Sequence, residues 1–210
     1  GGGADVGGIG GGAGGAGGTG DAGETTDPVT PTPDDNRRFV DVAETDWFNK
    51  AVNYVADNNY FQGVSENEFD PDGKMTRAML VTVIGRIAKA DVSQAKSDFA
   101  DVADGSWYAG YVAWAAENGI VTGVGEGKFA PNDNVTREQI AAILMRYAAT
   151  KGIETSADST EKYDSMKDTA NVSEYAVDAL KWATANGIIN GAEGNINPKG
   201  NATRAEVAQM

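Results

Sequence analysis

The chain has 210 residues, 31 acidic and 17 basic, a net charge of -14, and neither cysteine nor histidine. Those absences exclude disulfide scaffolds, thiolate zinc sites and Ser-His or Cys-His catalytic pairs, and they leave iron, copper or zinc only carboxylates, which suit these metals poorly. A negative field of this size repels nucleic acid and anionic lipid, and no segment approaches the roughly 18 consecutive apolar residues of a membrane span.

Residues Gly1 to Asn36 carry the carboxylates Asp5, Asp21, Glu24, Asp27, Asp34 and Asp35 and no lysine or arginine. Glycine dominates as far as Gly23, then threonine and proline take over between Thr25 and Pro33. Such a composition buries too little apolar surface to offset its ordering entropy. Residues 1–36 are therefore expected to form a disordered acidic linker, flexible where glycine-rich and more extended where Thr/Pro-rich. The sequence opens on glycine without a basic region leading into an apolar run, and is read as a piece of a longer protein.

From Arg37 the composition turns globular and begins to repeat. Phe39-Val40-Asp41-Val42 recurs as Phe99-Ala100-Asp101-Val102, Trp47 as Trp107, and Gly63 as Gly123. Phe69-Asp70-Pro71 becomes Phe129-Ala130-Pro131, and Thr76-Arg77 becomes Thr136-Arg137. A more degenerate third copy has Tyr175 in place of tryptophan, followed by Gly191, Ile196-Asn197-Pro198 and Thr203-Arg204. The expected units are 37–92, 97–152 and 158–210, the last cut short at its C-terminal end.

Each unit reads as a helix, a loop and a second helix. The first helix runs from Trp47 to about Asn58, with Trp47, Val52, Tyr54 and Val55 as its apolar stripe. It ends at Asn58-Asn59, and its counterparts at Asn118-Gly119 and Asn186-Gly187, residues that tolerate the left-handed conformation just past a helix. Trp114, Trp182 and Tyr54 share one helical position and read as core. The second helix opens at Thr76, Thr136 and Thr203, each an N-cap. Gln139 and Glu206 complete capping boxes in copies two and three, whereas copy one has Met79. Leu80, Val83, Ile84 and Ile87 match Ile140, Ile143, Leu144 and Tyr147, a broad face to be buried jointly because a unit of about 55 residues is marginal alone. The third copy's second helix stops at Met210, roughly half a helix short, so its end of the assembly is expected to be incompletely packed.

The tripled string Phe-x-Asp-Val, Trp, Gly, Phe-x-Pro, Thr-Arg-Ala/Glu resembles the S-layer homology domain family, with Thr203-Arg204-Ala205-Glu206 the fullest version of its Thr-Arg-Ala-Glu signature. The resemblance implies a mainly α fold of three tandem helix-loop-helix repeats packed as a pseudo-threefold bundle. It also implies grooves that hold the secondary polysaccharide of Gram-positive cell walls, often acidic and pyruvate-modified. The implied role is non-covalent anchoring of an extracellular surface protein to the cell wall or S-layer, without a cofactor or metal. Self-assembly into a surface lattice is a second implied reading. Met79 and Gln139 at the acidic position and Tyr175 in place of tryptophan depart from the pattern.

Read on their own, Arg77, Arg137 and Arg204 oppose the macrodipole at the first helical position, costing about 0.3–1 kcal/mol where exposed. Two readings stand: each joins unpaired helix amides to trap an outside carboxylate, or clamps an acid of its own unit such as Asp41 or Asp101. Trp47 and Trp107 either stack on a sugar ring or, the commoner fate of a tryptophan opening an amphipathic helix, belong to the core. Gly63, Gly123 and Gly191 read as positions needing special dihedrals, or as close approaches of backbone to ligand. The candidate ligand-binding set is thus these three arginines, Trp47, Trp107, the three glycines, Gln139 and Glu206, the last two being capping-box members first. Asp70-Pro71-Asp72-Gly73 brushes a calcium-loop pattern, but Lys74 stands where the next oxygen ligand belongs. Glycosidase chemistry needs two suitably separated carboxylates, and the acids here lie in turns and caps, so no enzyme is expected within these residues. The net charge is compatible with an acidic ligand because screening confines fields to about 8 Å, leaving local arginines to decide affinity.

Overall fold

The computed structural model describes residues 38–210, so the expected linker lies outside the described residues. The helices in chain order are α1 (Asn49–Asp57), α2 (Arg77–Ile87), α3 (Ala109–Glu117), α4 (Arg137–Thr150), α5 (Glu161–Asp164), α6 (Val177–Ala185) and α7 (Arg204–Gln209). Helices α1, α3 and α6 are the first helices of the three repeats, and α2, α4 and α7 the second. The first helices are followed by Asn59, Gly119 and Gly187 at φ 57°, 68° and 70°, the left-handed exit that asparagine and glycine make affordable. Thr76, Thr136 and Thr203 accept from the backbone N–H three residues on, and Gln139 and Glu206 close the capping boxes.

The repeats interlock in a ring. Helix α2 packs on α3, α4 on α6, and α7 back on α1, so each second helix is covered by the next repeat. At the axis, Val135 N–H donates to Met75 O (2.9 Å), Met75 N–H to Ala202 O (3.1 Å) and Ala202 N–H to Val135 O (3.3 Å), one residue from each repeat. The first two amides of every second helix are also taken across the boundary. Arg77, Arg137 and Arg204 N–H donate to Asp133, Gly200 and Gly73 O, and Ala78, Glu138 and Ala205 N–H to Pro131, Pro198 and Pro71 O. This is the expected mainly α, pseudo-threefold bundle; among the described residues, extended pairing amounts to isolated bridges such as Thr76 with Asn134.

The repeated aspartates explain their own recurrence. Asp41 accepts from Phe69 and Asp70 N–H at 2.9 and 2.7 Å, Asp101 from Phe129 and Ala130 N–H at 2.8 Å each, and Asp168 from Ile196 and Asn197 N–H at 2.8 and 2.7 Å. Asp70, Ala130 and Asn197 sit at φ 55°, 58° and 54°, where a side chain costs about 1–2 kcal/mol, and the carboxylates hold them there. Beneath these turns Phe39 packs on Phe69 and Phe99 on Phe129, with centroids 5.4 and 5.5 Å apart.

Two expectations about the first helices fail. The helix starts at Asn49, after Trp47, which is 63% exposed; Trp107 is 60% exposed, so neither is core. Of the shared position, Trp182 is buried at 5% and Trp114 partly buried, but Tyr54 is exposed, and the buried stripe of α1 is Val52, Val55 and Ala56.

Candidate functional site

Burial decides what the arginines do. Arg77 and Arg204 are only 7% and 6% exposed. Arg77 donates from Nε to Phe129 O (2.7 Å) and from Nη2 to Thr122 O (3.0 Å); Arg204 donates from the same atoms to Phe69 O and Gln62 O, both 2.7 Å. Their guanidinium carbons lie 4.5 Å from the Phe129 ring centroid and 4.6 Å from that of Phe69, a cation–π contact. Each arginine therefore stitches its repeat to a neighbour by charge-assisted bonds to backbone carbonyls. Burial lowers both pKa values, against which Asp133 pulls up on Arg77 and Asp70 on Arg204. The clamp onto Asp41 or Asp101 is not formed, because those carboxylates already hold the turn amides. Free helix amides are missing too, since the first three N–H groups of α2, α4 and α7 all have partners.

Nη1 of Arg77 and Arg204 is left over: it has no protein partner among the described residues, and both side chains border open grooves. Three related grooves recur around the ring, and each draws on all three repeats. In the first, of about 430 Å³, Gly63 and Met79 of repeat one meet Arg204 of repeat three and Trp107 of repeat two. In the second, of about 400 Å³, Gly123 and Gln139 meet Arg77 and Tyr175. In the third, of about 680 Å³, Gly191 and Glu206 meet Arg137 and Trp47. All ten sequence-predicted residues thus border grooves within the size range of small-ligand sites.

The grooves differ in charge. The first also contains Arg86 and the second Arg146, and among the described residues no carboxylate borders either. In the third, Arg137 pairs through Nη2 with Glu206 Oε1, and Asp168 stands alongside. The cause is the capping residue that each arginine meets across the boundary: Met79 opposite Arg204, Gln139 opposite Arg77, but Glu206 opposite Arg137. Only the carboxylate draws its guanidinium away from the carbonyl pair that the other two bind.

The glycines need space more than unusual dihedrals. A Cβ on Gly63 would lie 2.4 Å from Ser65 O and 2.6 Å from Glu68 O, and one on Gly123 2.6 Å from Lys128 O. Gly191 alone of the three has positive φ, 71°. What approaches them most closely is the loop's own backbone, joined at Gly63 and Gly123 by the Phe39 and Phe99 rings.

The sequence reading missed Arg86, Arg146, Asp168 and Glu138. Asp168 was findable: counting 29 residues back from Asn197 repeats the Asp41–Asp70 and Asp101–Ala130 spacing. Glu138 had no repeat signal, since Ala78 and Ala205 hold its place. It is 3% exposed and accepts from Ser173 N–H (3.0 Å), Ser173 Oγ (2.9 Å), Tyr175 OH (3.3 Å) and Lys199 Nζ (2.6 Å). Burial alone would raise its pKa, but the Lys199 and Ser173 bonds outweigh this and hold it below the usual value.

Comparison with known proteins bears directly on this geometry. The S-layer homology domain matches at 38–78, 98–141 and 165–208, over half of the chain. The chain is 31% identical over 177 residues to the amylopullulanase of Thermoanaerobacterium thermosulfurigenes, covering 83% of this chain and 9% of that protein. It is 31% identical over 163 residues to the surface-layer 125 kDa protein of Lysinibacillus sphaericus (76% and 13%), and 28% identical over 191 residues to the S-layer protein sap of Bacillus anthracis (87% and 22%). The chain thus spans less than a quarter of these relatives' lengths.

Proposed function

Because the chain belongs to the S-layer homology domain family, whose members generally anchor surface proteins to the cell wall, we propose that it anchors its parent protein by holding anionic secondary wall polysaccharide, pyruvate-modified forms included, in the inter-repeat grooves. The observation that carries this reading is the pairing, in the first two grooves, of an exposed aromatic with two arginines and no acid among the described residues. Trp107 and Tyr175, 60% and 54% exposed, offer faces for a sugar ring, while Arg204 with Arg86 and Arg77 with Arg146 supply donors for a carboxylate. The third groove, with Arg137 already paired to Glu206, is the weakest for an acidic ligand. Binding and release here make and break no covalent bond. As an alternative, the anchored part is an exocellular hydrolase, since one relative is named an amylopullulanase and this chain covers 9% of it, whereas others are named surface-layer proteins. The site of action is the outer surface of the cell.

The test is a pull-down on purified Gram-positive sacculi, before and after removal of the secondary polysaccharide. Binding that vanishes with the polysaccharide is the expected result. Binding that survives would favour lattice self-assembly or adhesion to peptidoglycan and would overturn this reading.

A further inference from the structure

The second groove holds its aromatic differently from the other two. Trp47 and Trp107 are each braced edge-on by the next residue, Phe48 at 5.2 Å and Tyr108 at 5.1 Å between centroids. The residue after Tyr175 is Ala176, fully buried, and supplies no such brace. In the same groove alone, the second position of the facing helix is glutamate rather than alanine: Glu138, against Ala78 and Ala205. Glu138 reaches across the boundary between repeats two and three to the Ser173 amide and hydroxyl, which set the start of the Glu174–Ala176 turn, and to the Tyr175 hydroxyl itself. Lys199 neutralises it and also contacts the Ser173 hydroxyl.

We propose that Glu138 is a positioning residue that fixes the Tyr175 ring as the ligand-facing wall of the second groove, replacing the aromatic brace used by Trp47 and Trp107. The proposal rests on the groove-binding reading above. The titration of Tyr175 agrees with it: burial first, then the Glu138 carboxylate, push its phenol up to about 12, with Arg146 and Arg77 opposing. A ring tied in this way is already ordered before a ligand arrives, so binding does not bear the cost of immobilising it.

Two readouts on the 210-residue chain test this, with Glu138→Ala and the isosteric Glu138→Gln as variants and Tyr175→Phe to assign the Tyr175 signal. The first is the phenol titration by ultraviolet difference absorbance, which needs no ligand. Tyr175 should titrate near 12 in the unaltered chain and move toward the ordinary value of 10.0 in both Glu138 variants. The second is binding of a pyruvylated disaccharide, followed separately at the Gly123 and Gly63 amides by NMR. At Gly123 the affinity should fall about three- to tenfold, the order expected when one interface side chain must be ordered on binding. At Gly63 it should stay unchanged. A shifted titration with unchanged Gly123 binding would reduce Glu138 to a structural neighbour and overturn the proposal, as would an unshifted titration. Failure of the unaltered chain to bind the disaccharide at any groove would instead refute the groove reading, and the titration would then decide whether Glu138 holds Tyr175.

Discussion

Replacing Arg77 with alanine separates a structural arginine from a purely ligand-facing one. The substitution removes two hydrogen bonds from a cation to backbone carbonyls, Phe129 O at 2.7 Å and Thr122 O at 3.0 Å, together with the stacking on Phe129. Hydrogen bonds to charged groups contribute about 1.5–3 kcal/mol each, and water entering from the groove recovers part of the loss, so the net cost is about 3 kcal/mol. At about 2–4 °C per kcal/mol for a domain of this size, the melting temperature should drop by about 6–12 °C. Arg137→Ala is the matched control: it removes a partly exposed ion pair, with side chains 17% and 29% exposed, and should cost about 0–1 kcal/mol. Urea unfolding followed by circular dichroism measures both. Arg204→Ala should destabilise as Arg77→Ala does, since Arg204 makes the matching bonds to Phe69 O and Gln62 O and stacks on Phe69. Equal stability of Arg77→Ala and Arg137→Ala would refute the reasoning.

Glu206→Gln should free Arg137 while keeping the cap, as Gln139 caps α4, and should raise affinity for an acidic wall glycan at the third groove several-fold by calorimetry. Trp107→Ala should weaken sacculus binding yet change stability by only about 0.5 kcal/mol, as befits an exposed side chain. Asp168→Ala should destabilise the third repeat by about 2–3 kcal/mol, read by hydrogen exchange of the Ile196 and Asn197 amides, because two turn amides lose their acceptor. The pH dependence has opposite signs at the two extremes. Glu138, and Asp101 through its turn-amide bonds, titrate below their ordinary 4.5 and 3.8, so their stabilisation is complete above those values and is lost as pH falls through the folded pKa values. Tyr175, raised to about 12, stabilises fully below its ordinary 10.0 and loses that contribution as pH rises from 10.0 toward 12. Circular dichroism across both ranges checks this.

The local half of the fold was legible: the threonine caps, the capping boxes at Gln139 and Glu206, and the left-handed exits at Asn59, Gly119 and Gly187 follow from short-range rules. The partners of Arg77 and Arg204 were not, because backbone carbonyls 52 and 135 residues away leave no mark in the sequence. Trp47 was misjudged because its helix begins two residues later, which turns its ring outward to solvent. The helix amides were misjudged because the pseudo-threefold closure delivers the Pro131, Pro198 and Pro71 carbonyls to them. Arg86 and Arg146 look like ordinary surface charges on an amphipathic helix until neighbouring repeats build a groove beside them.

The most direct test of wall anchoring through the grooves is a crystal structure of the chain with an acidic wall-polysaccharide fragment. Its carboxylate should lie on Arg77 and Arg146, or on Arg204 and Arg86, with a sugar ring against Tyr175 or Trp107 and the third groove least occupied. A fragment seated on the outer helical faces, with those arginine pairs untouched, would contradict the mechanism.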